Sequence, residues 1–273
     1  MRRLPVIRVP GERFLSPIAV VAVVWALITV SGLAGLHLKT RLAPHYTTEL
    51  SRDMIGGVVG LLTLLLALVL GLLIWTAFGV FSTQQRELES IAAKALEFNL
   101  EMRHYGPEGD AAREVLRQDL LSAREQFWGD DSAMAASYDA SYRAMADMSR
   151  VFERLDPQTD AQRALLAAAK ANYGTIGEDR LLMTLQGLSP VAWPLIYAVT
   201  GWSCLMFAGM GLLSRPNAAT ITMLILGAAS VGVAILLILE FSRPYTSSIR
   251  ISPIVVDRAI ADLAKPSGPG DSN

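Results

Sequence analysis

Four stretches of this chain carry no charged side chain: Leu15–Leu36, Ile55–Phe81, Pro190–Leu213 and Ala218–Leu239. Together they hold 95 of the 273 residues, and all 49 Lys, Arg, Asp and Glu side chains lie in the other 178. An even spread would put about 17 charges inside the runs. Hydrocarbon penalises an uncompensated charge by several kcal/mol, so segregation this complete excludes an ordinary water-soluble globule. It defines an all-α, polytopic membrane protein, because a helix satisfies its own backbone hydrogen bonds in lipid. A run of 22 residues reaches roughly 33 Å as a helix, against a hydrocarbon core of about 30 Å. The 27-residue second run reaches about 40 Å, so it tilts or continues as helix beyond the membrane. The first run is longer than the roughly 7–15 apolar residues of a signal peptide and is read as a retained span.

The chain divides accordingly. It has an N-terminal tail 1–14, a span 15–36, an outer loop 37–54, a span 55–81 and an insertion 82–189. Then come a span 190–213, a short outer loop 214–217, a span 218–239, an amphipathic segment 240–265 and a tail 266–273. The tail is rich in Pro, Gly and Ser and is expected to be disordered. Of the 24 Lys and Arg residues, 20 lie in the two terminal segments and the insertion. The positive-inside rule puts both termini and the insertion in the cytoplasm.

The insertion is rich in Ala, Glu, Leu, Arg and Met and reads as helix throughout. Leu88, Ile91, Ala95, Asn99 and Met102 recur at helical spacing, and no Gly or Pro interrupts Ser82–Tyr105, so the second span should run on into this helix. Gly106-Pro107 ends it, with Pro107 placed to begin the next helix. Ala112, Leu116, Leu120, Ala123 and Phe127 form the second stripe, and Gly129–Ser132 is a turn. Met134, Tyr138, Tyr142, Met145, Met148, Phe152 and Leu155 form the third, broken by Asp156-Pro157. Leu165, Ala168, Asn172, Ile176 and Met183 form the fourth. The result is a helical bundle. Its 12 basic and 18 acidic residues disfavour nucleic-acid binding.

Catalytic groups are scarce. No HExxH, CxxC, GxSxG or Walker-type pattern occurs, and the single cysteine, Cys204, lies in the third span. His37 and His45 share the outer loop with Glu49, Arg52 and Asp53. We read these as interfacial polar residues, with a weak metal or acid–base site as the alternative. No catalytic residue, cofactor site or metal site is assigned. The spans lack the ionisable group that coupled transporters usually need, whereas a channel can be lined by small, hydroxyl and apolar residues.

Charge reappears at the end of the fourth span as Glu240, Arg243 and Arg250. These three either anchor the helix end or form a charged cytoplasmic mouth or gate. Ser252-Pro253 reads as a helix start, and Val255, Val256, Ala259, Ile260 and Leu263 share one face of the helix that follows. That helix lies on the membrane or against the insertion. Gly56 and Gly60 make a GxxxG, and Ala228 and Gly232 repeat the small-xxx-small spacing; both mark close helix packing.

Three segments resemble a bacterial family of unknown function described as bestrophin-like. Tyr105-Gly106-Pro107-Glu108, with Arg113 and Leu116 after it, is similar to the family's Tyr-Gly-Pro-Glu segment. Arg215-Pro216-Asn217 resembles its short third loop. Leu237–Glu240 with Arg243-Pro244-Tyr245 and Ile251-Ser252 resembles its Leu-Ile-Leu-Glu-Leu-Asp-Arg-Pro segment and the Ile-Ser beyond. Phe241 and Ser242 stand where that segment has Leu-Asp, and Ser247-Ser248 where it has a Gly step. The resemblance implies four spans with a helical insertion and placement in the bacterial inner membrane. It also suggests an analogy with anion channels, although fold-level analogy alone does not give function. Two readings follow. One is a homo-oligomeric channel for anions or small solutes, embedded in the lipid bilayer and not an enzyme. The other is a non-conducting sensor or scaffold whose bundle recruits a cytoplasmic protein partner.

Overall fold

The computed structural model describes residues 16–41, 49–128, 134–187, 193–242, 245 and 249–266, with the backbone alone at 49, 134–141, 186 and 187. Every regular element among them is helical: α1 (Pro17–Arg41), α2 (Glu49–Tyr105), a 3-10 turn (Pro107–Gly109), α3 (Asp110–Trp128), α4 (Met134–Arg154), α5 (Asp160–Gly187), α6 (Trp193–Leu213), α7 (Ala218–Phe241) and α8 (Ile254–Leu263). Helices α1, α2, α6 and α7 are long and apolar enough to cross a membrane. The chain is thus an all-α, four-span membrane protein. Helix α2 is uninterrupted over 57 residues, as expected where no proline breaks the backbone ladder. The fold divides into two compact units, Met1–Trp75 with Ala192–Leu239 and Thr76–Val191 with Glu240–Asn273. We call them the membrane unit and the bundle unit.

In the membrane unit, backbones touch. A Cβ on Gly35 would stand 2.1 Å from the Ala208 carbonyl oxygen, and one on Gly211 would stand 2.2 Å from that of Gly32. Helices α1 and α6 therefore meet through glycine, the residue that permits the closest approach in lipid. The Ser31 hydroxyl donates to the Cys204 carbonyl at 2.7 Å. The Lys39 ammonium donates to the Leu213 and Ser214 carbonyls at 3.1 and 2.9 Å, satisfying acceptors left open at the end of α6. Helix α7 approaches α6 at Gly227, where a Cβ would stand 3.1 Å from the Phe207 ring, and Ala228 beside it is fully buried. A Cβ on Gly232 would be in ordinary contact with Val21 and Trp25. The Trp25 indole N–H donates to the Ile225 carbonyl at 3.3 Å.

The second span is partnered differently. Over residues 51–75 of α2, Leu66 is the sole buried residue. Val59 faces Gly209, and the Thr63 hydroxyl reaches the Met206 sulfur at 3.2 Å. Leu64, Leu68 and Trp75 are each more than 70% exposed within the chain. Among the described residues, a Cβ on Gly56 or Gly60 would meet no atom within 4 Å.

The bundle unit packs large side chains. Leu88, Ile91, Ala95, Met102 and the α3 residues Ala112, Leu116, Leu120, Ala123 and Phe127 share one core with Phe98, Met148, Phe152, Tyr173, Ile176 and Met183. The first two sequence stripes match this core. The third does so only in part: Tyr142 is 72% exposed and Met145 lies at the surface, while the side chains of Met134 and Tyr138 fall outside the described residues. On α5 Asn172, Ile176 and Met183 are buried as expected, whereas Leu166 and Ala169 are buried in place of Leu165 and Ala168, one position on. Residues one apart on a helix differ by about 100°, so small and large neighbours at a stripe's edge leave its direction open.

Candidate functional site

The bundle unit gathers two of the three motif-bearing segments along α3. Gly106 has φ +122°, a region closed to side chains with a Cβ. A Cβ on Gly109 would stand 2.2 Å from the Met102 carbonyl oxygen. Tyr105–Glu108 is therefore a sharp corner that only this glycine pattern permits. Pro107 opens the 3-10 turn of that corner, so α3 starts three residues later, at Asp110. Gln162 ties the corner down: its side-chain amide donates to the Tyr105 carbonyl at 3.1 Å. Gln162 and Thr159 also form a reciprocal cap on α5, Thr159 N–H to Gln162 Oε1 at 3.3 Å and Gln162 N–H to Thr159 Oγ1 at 3.1 Å.

The corner delivers Arg113 into the interior, where it is 4% exposed. Its guanidinium donates to Asn99 Oδ1 (2.7 Å), Asp110 Oδ1 (2.7 Å) and the Leu263 and Lys265 carbonyls (3.2 and 2.6 Å). Asn99 itself donates to the Asp262 carbonyl at 3.3 Å. Arg113 thus caps the C-terminal end of α8, where acceptors are open and positive charge is favoured.

Two further contacts fix the direction of α8. Arg124 pairs with Asp257 at 2.5 Å. The Trp128 indole N–H donates to the Ile251 carbonyl at 2.8 Å. Residue numbers rise along α3 as they fall along the C-terminal segment, so the two run antiparallel. Of the two positions the sequence left open for α8, the structure takes the one against the insertion. The buried side of α8 is Val256, Ala259 and Leu263, with Val255 and Ile260 at its margin. The helix begins at Ile254, one residue later than the Ser252-Pro253 spacing suggests.

Glu240 lies beside this strap. It is 5% exposed, and its Oε2 accepts the Ile249 backbone N–H at 3.0 Å. Arg250 is exposed. Arg243 and Pro244 lie outside the described residues. Tyr245 sits between the Phe127 and Trp128 rings, with centroids at 5.2 and 5.4 Å. Burial, and then the Glu87 charge, push its phenol above the ordinary value. Phe241 packs on Phe78 and Phe81 at 5.7 and 5.5 Å.

A buried ion pair lies elsewhere. Arg180 on α5 pairs with Asp119 on α3, and both side chains are under 7% exposed. Burial raises the Asp119 carboxyl, and the Arg180 charge opposes that shift. Sequence reasoning passed over this pair and over the role of Arg113. A signal existed: Arg113 and Asp119 fall on the α3 stripe that carries Leu116, and Arg180 falls between Ile176 and Met183. A charge placed on a buried face requires a partner.

Among the described residues no group of three His, Cys, Asp or Glu side chains converges as a metal site. His45 lies outside those residues. The bestrophin-like domain family matches residues 25–255. The chain belongs to that family. No curated protein and no solved structure matches it.

Proposed function

We propose that the protein is a homo-oligomeric, channel-like membrane protein passing anions or small solutes, with the bundle unit as its cytoplasmic vestibule. Both termini would face the cytoplasm of a bacterial cell, across its inner membrane. Besides family membership, one observation carries this reading. The second span buries a single residue over 51–75, and among the described residues nothing comes within 4 Å of a Cβ on Gly56 or Gly60. The other three membrane helices already have close partners within the chain. A helix with small residues and little internal partnering is suited to meeting copies of itself around an axis. The absence of Asp, Glu, Lys and Arg from the four runs fits a dewettable or hydroxyl-lined path better than an ion-coupled carrier.

Glu240, Arg243 and Arg250 remain the charges proposed for the cytoplasmic mouth. Glu240 would act there by fixing the strap through Ile249, and Arg250 as an exposed charge. The decisive experiment reconstitutes the purified chain in liposomes and measures anion flux. Flux is expected, and Arg250→Gln should change its selectivity or size. Well-folded oligomers without flux would instead favour the scaffold reading. Leu182 and Leu185, about half exposed on α5, motivate that second reading, because they offer an apolar face to a partner. A stable monomer in nanodiscs would remove the shared pore.

A further inference from the structure

Helices α1 and α6 finish side by side in the membrane unit. A Cβ on Gly211 would stand 2.2 Å from the Gly32 carbonyl oxygen and 2.9 Å from the Leu36 backbone nitrogen. The Lys39 ammonium bonds the Leu213 and Ser214 carbonyls, and Arg215 follows directly. Lys39 therefore points at α6. Arg41, two residues on, lies about 200° further round α1 and points away from α6. The three cations form a rim around two adjoining helix ends. Few cations reach this end of the spans: segments 37–54 and 214–217 hold four of the chain's 24 Lys and Arg residues, and three of the four are in the rim. The same segments hold two carboxylates, Glu49 and Asp53, and both flank the fourth cation, Arg52, at the start of α2.

The rim charges are unequally engaged. Lys39 is committed to the carbonyls that end α6. Arg41 and Arg215 are exposed, and among the described residues neither side chain has a hydrogen bond or an ion pair. Apolar surface begins directly beside them. Leu38, one turn before Arg41, is 51% exposed, and Met210, one turn before Ser214, is 42% exposed. A guanidinium matches the paired oxygens of a phosphate, and exposed apolar side chains at the end of a span match an acyl chain. A soluble anion would use the first feature alone. A phospholipid uses both, and the apolar surface is continuous with the helices that cross the hydrocarbon.

We propose that the joined ends of α1 and α6 hold anionic phospholipid, with Arg41 and Arg215 on the headgroup phosphates and Leu38 and Met210 against the acyl chains. The inference does not rest on conduction, so its test leaves the channel reading untouched. The full chain is placed in nanodiscs of equal phosphatidylglycerol and phosphatidylcholine, and the lipids it retains on release are weighed by native mass spectrometry. Hydrogen exchange of residues 36–41 and 213–217 is compared between discs of either lipid alone. Phosphatidylglycerol should be retained preferentially and should slow exchange in both stretches. R41Q/R215Q should lower the preference at least about fivefold, whereas R41K/R215K, which keeps the charge, and R52Q should preserve it. Both rim arginines are exposed, so R41Q/R215Q should fold, and an unchanged thermal midpoint in detergent verifies this. Should it unfold, R41Q and R215Q taken singly should each lower the preference by less. Equal retention of the two lipids, or a preference that the folded glutamine variants keep, overturns the proposal. Equal slowing of the same exchange by inorganic phosphate in pure phosphatidylcholine discs also overturns it, by assigning the rim to a soluble anion.

Discussion

The membrane unit and the bundle unit solve the same problem, packing helix on helix, with opposite materials. In the membrane unit the contact between α1 and α6 is made where side chains are absent, at Gly32, Gly35 and Gly211. In the bundle unit Phe98, Met102, Leu116, Met148, Ile176 and Met183 are all less than 2% exposed. The solvent explains the difference. Lipid tails are as apolar as leucine, so burying a leucine against another helix gains little there, and close backbone approach supplies the dispersion energy. Water penalises exposed apolar area by about 25 cal/mol per Å², so the bundle gains by burying the largest side chains. The bundle also holds charge inside, at Asp119, Arg180 and Arg113, because desolvated partners are available.

This contrast can be broken by substitution. The largest effect is expected at the buried pair. Arg180→Ala leaves Asp119 charged and alone, and should cost about 3–5 kcal/mol of bundle stability. The double change Asp119→Leu with Arg180→Met should recover most of it. Denaturant-dependent hydrogen exchange of α3 and α5 measures both, and equal loss of protection in α1 and α6 would mean the two units are not energetically distinct.

Next comes the glycine seam. Gly35→Ala forces a methyl onto the Ala208 carbonyl and should cost at least ~1–3 kcal/mol by overpacking. Gly56→Ala, which meets nothing among the described residues, should leave the fold of one chain intact. Thermal unfolding in detergent compares the two. If Gly56→Ala alters the mass of the assembly in native mass spectrometry while the fold survives, the open glycine face belongs to an interface between copies.

Third is the strap. Arg113→Gln removes donors to the Leu263 and Lys265 carbonyls and should cost about 1–3 kcal/mol, read as faster exchange at 254–265. Unchanged exchange there would show that the apolar side of α8 alone holds it.

The smallest effect lies on the bundle surface. Arg117 depresses the Glu114 carboxyl to about 2, so the folded value is below the unfolded one. The associated stability is present above the ordinary carboxylate range and is lost as pH falls toward 2. Glu114 is 54% exposed and Arg117 lies at the surface, 26% exposed, so the gain is small and screened by salt. The difference in thermal midpoint between wild type and Glu114→Gln should shrink on acidification from pH 5, and a constant difference would contradict the pairing.

Much of this was legible in the chain. The apolar stripe through Leu88 and Met102 and the one through Leu116 and Phe127 are buried as spaced. The corner at Gly106-Pro107 is where the local residues put it. A Cβ on Gly232 would touch Val21 and Trp25, and Ala228 is buried. Other features were not legible. Gly56 and Gly60 have the same spacing as a packing motif, yet among the described residues no atom comes within 4 Å of a Cβ on either; spacing reports a helix face and not its partner. The seam at Gly32, Gly35 and Gly211 escaped notice because its members come from spans far apart in sequence. Tyr142 looked interior by periodicity and stands at the surface, since an amphipathic aromatic tolerates either place.

The sequence by itself determined that the chain is helical, crosses a membrane four times and carries a helical insertion. Those properties follow from a one-dimensional fact: hydrocarbon rejects charge, and a helix needs no neighbour to satisfy its backbone. Only the tertiary structure decided which glycines touch, that Arg113 closes the end of α8, and that Asp119 meets Arg180 across 61 positions of chain. These are pairings, fixed by where two helices come to lie, and no property of either helix alone specifies the other.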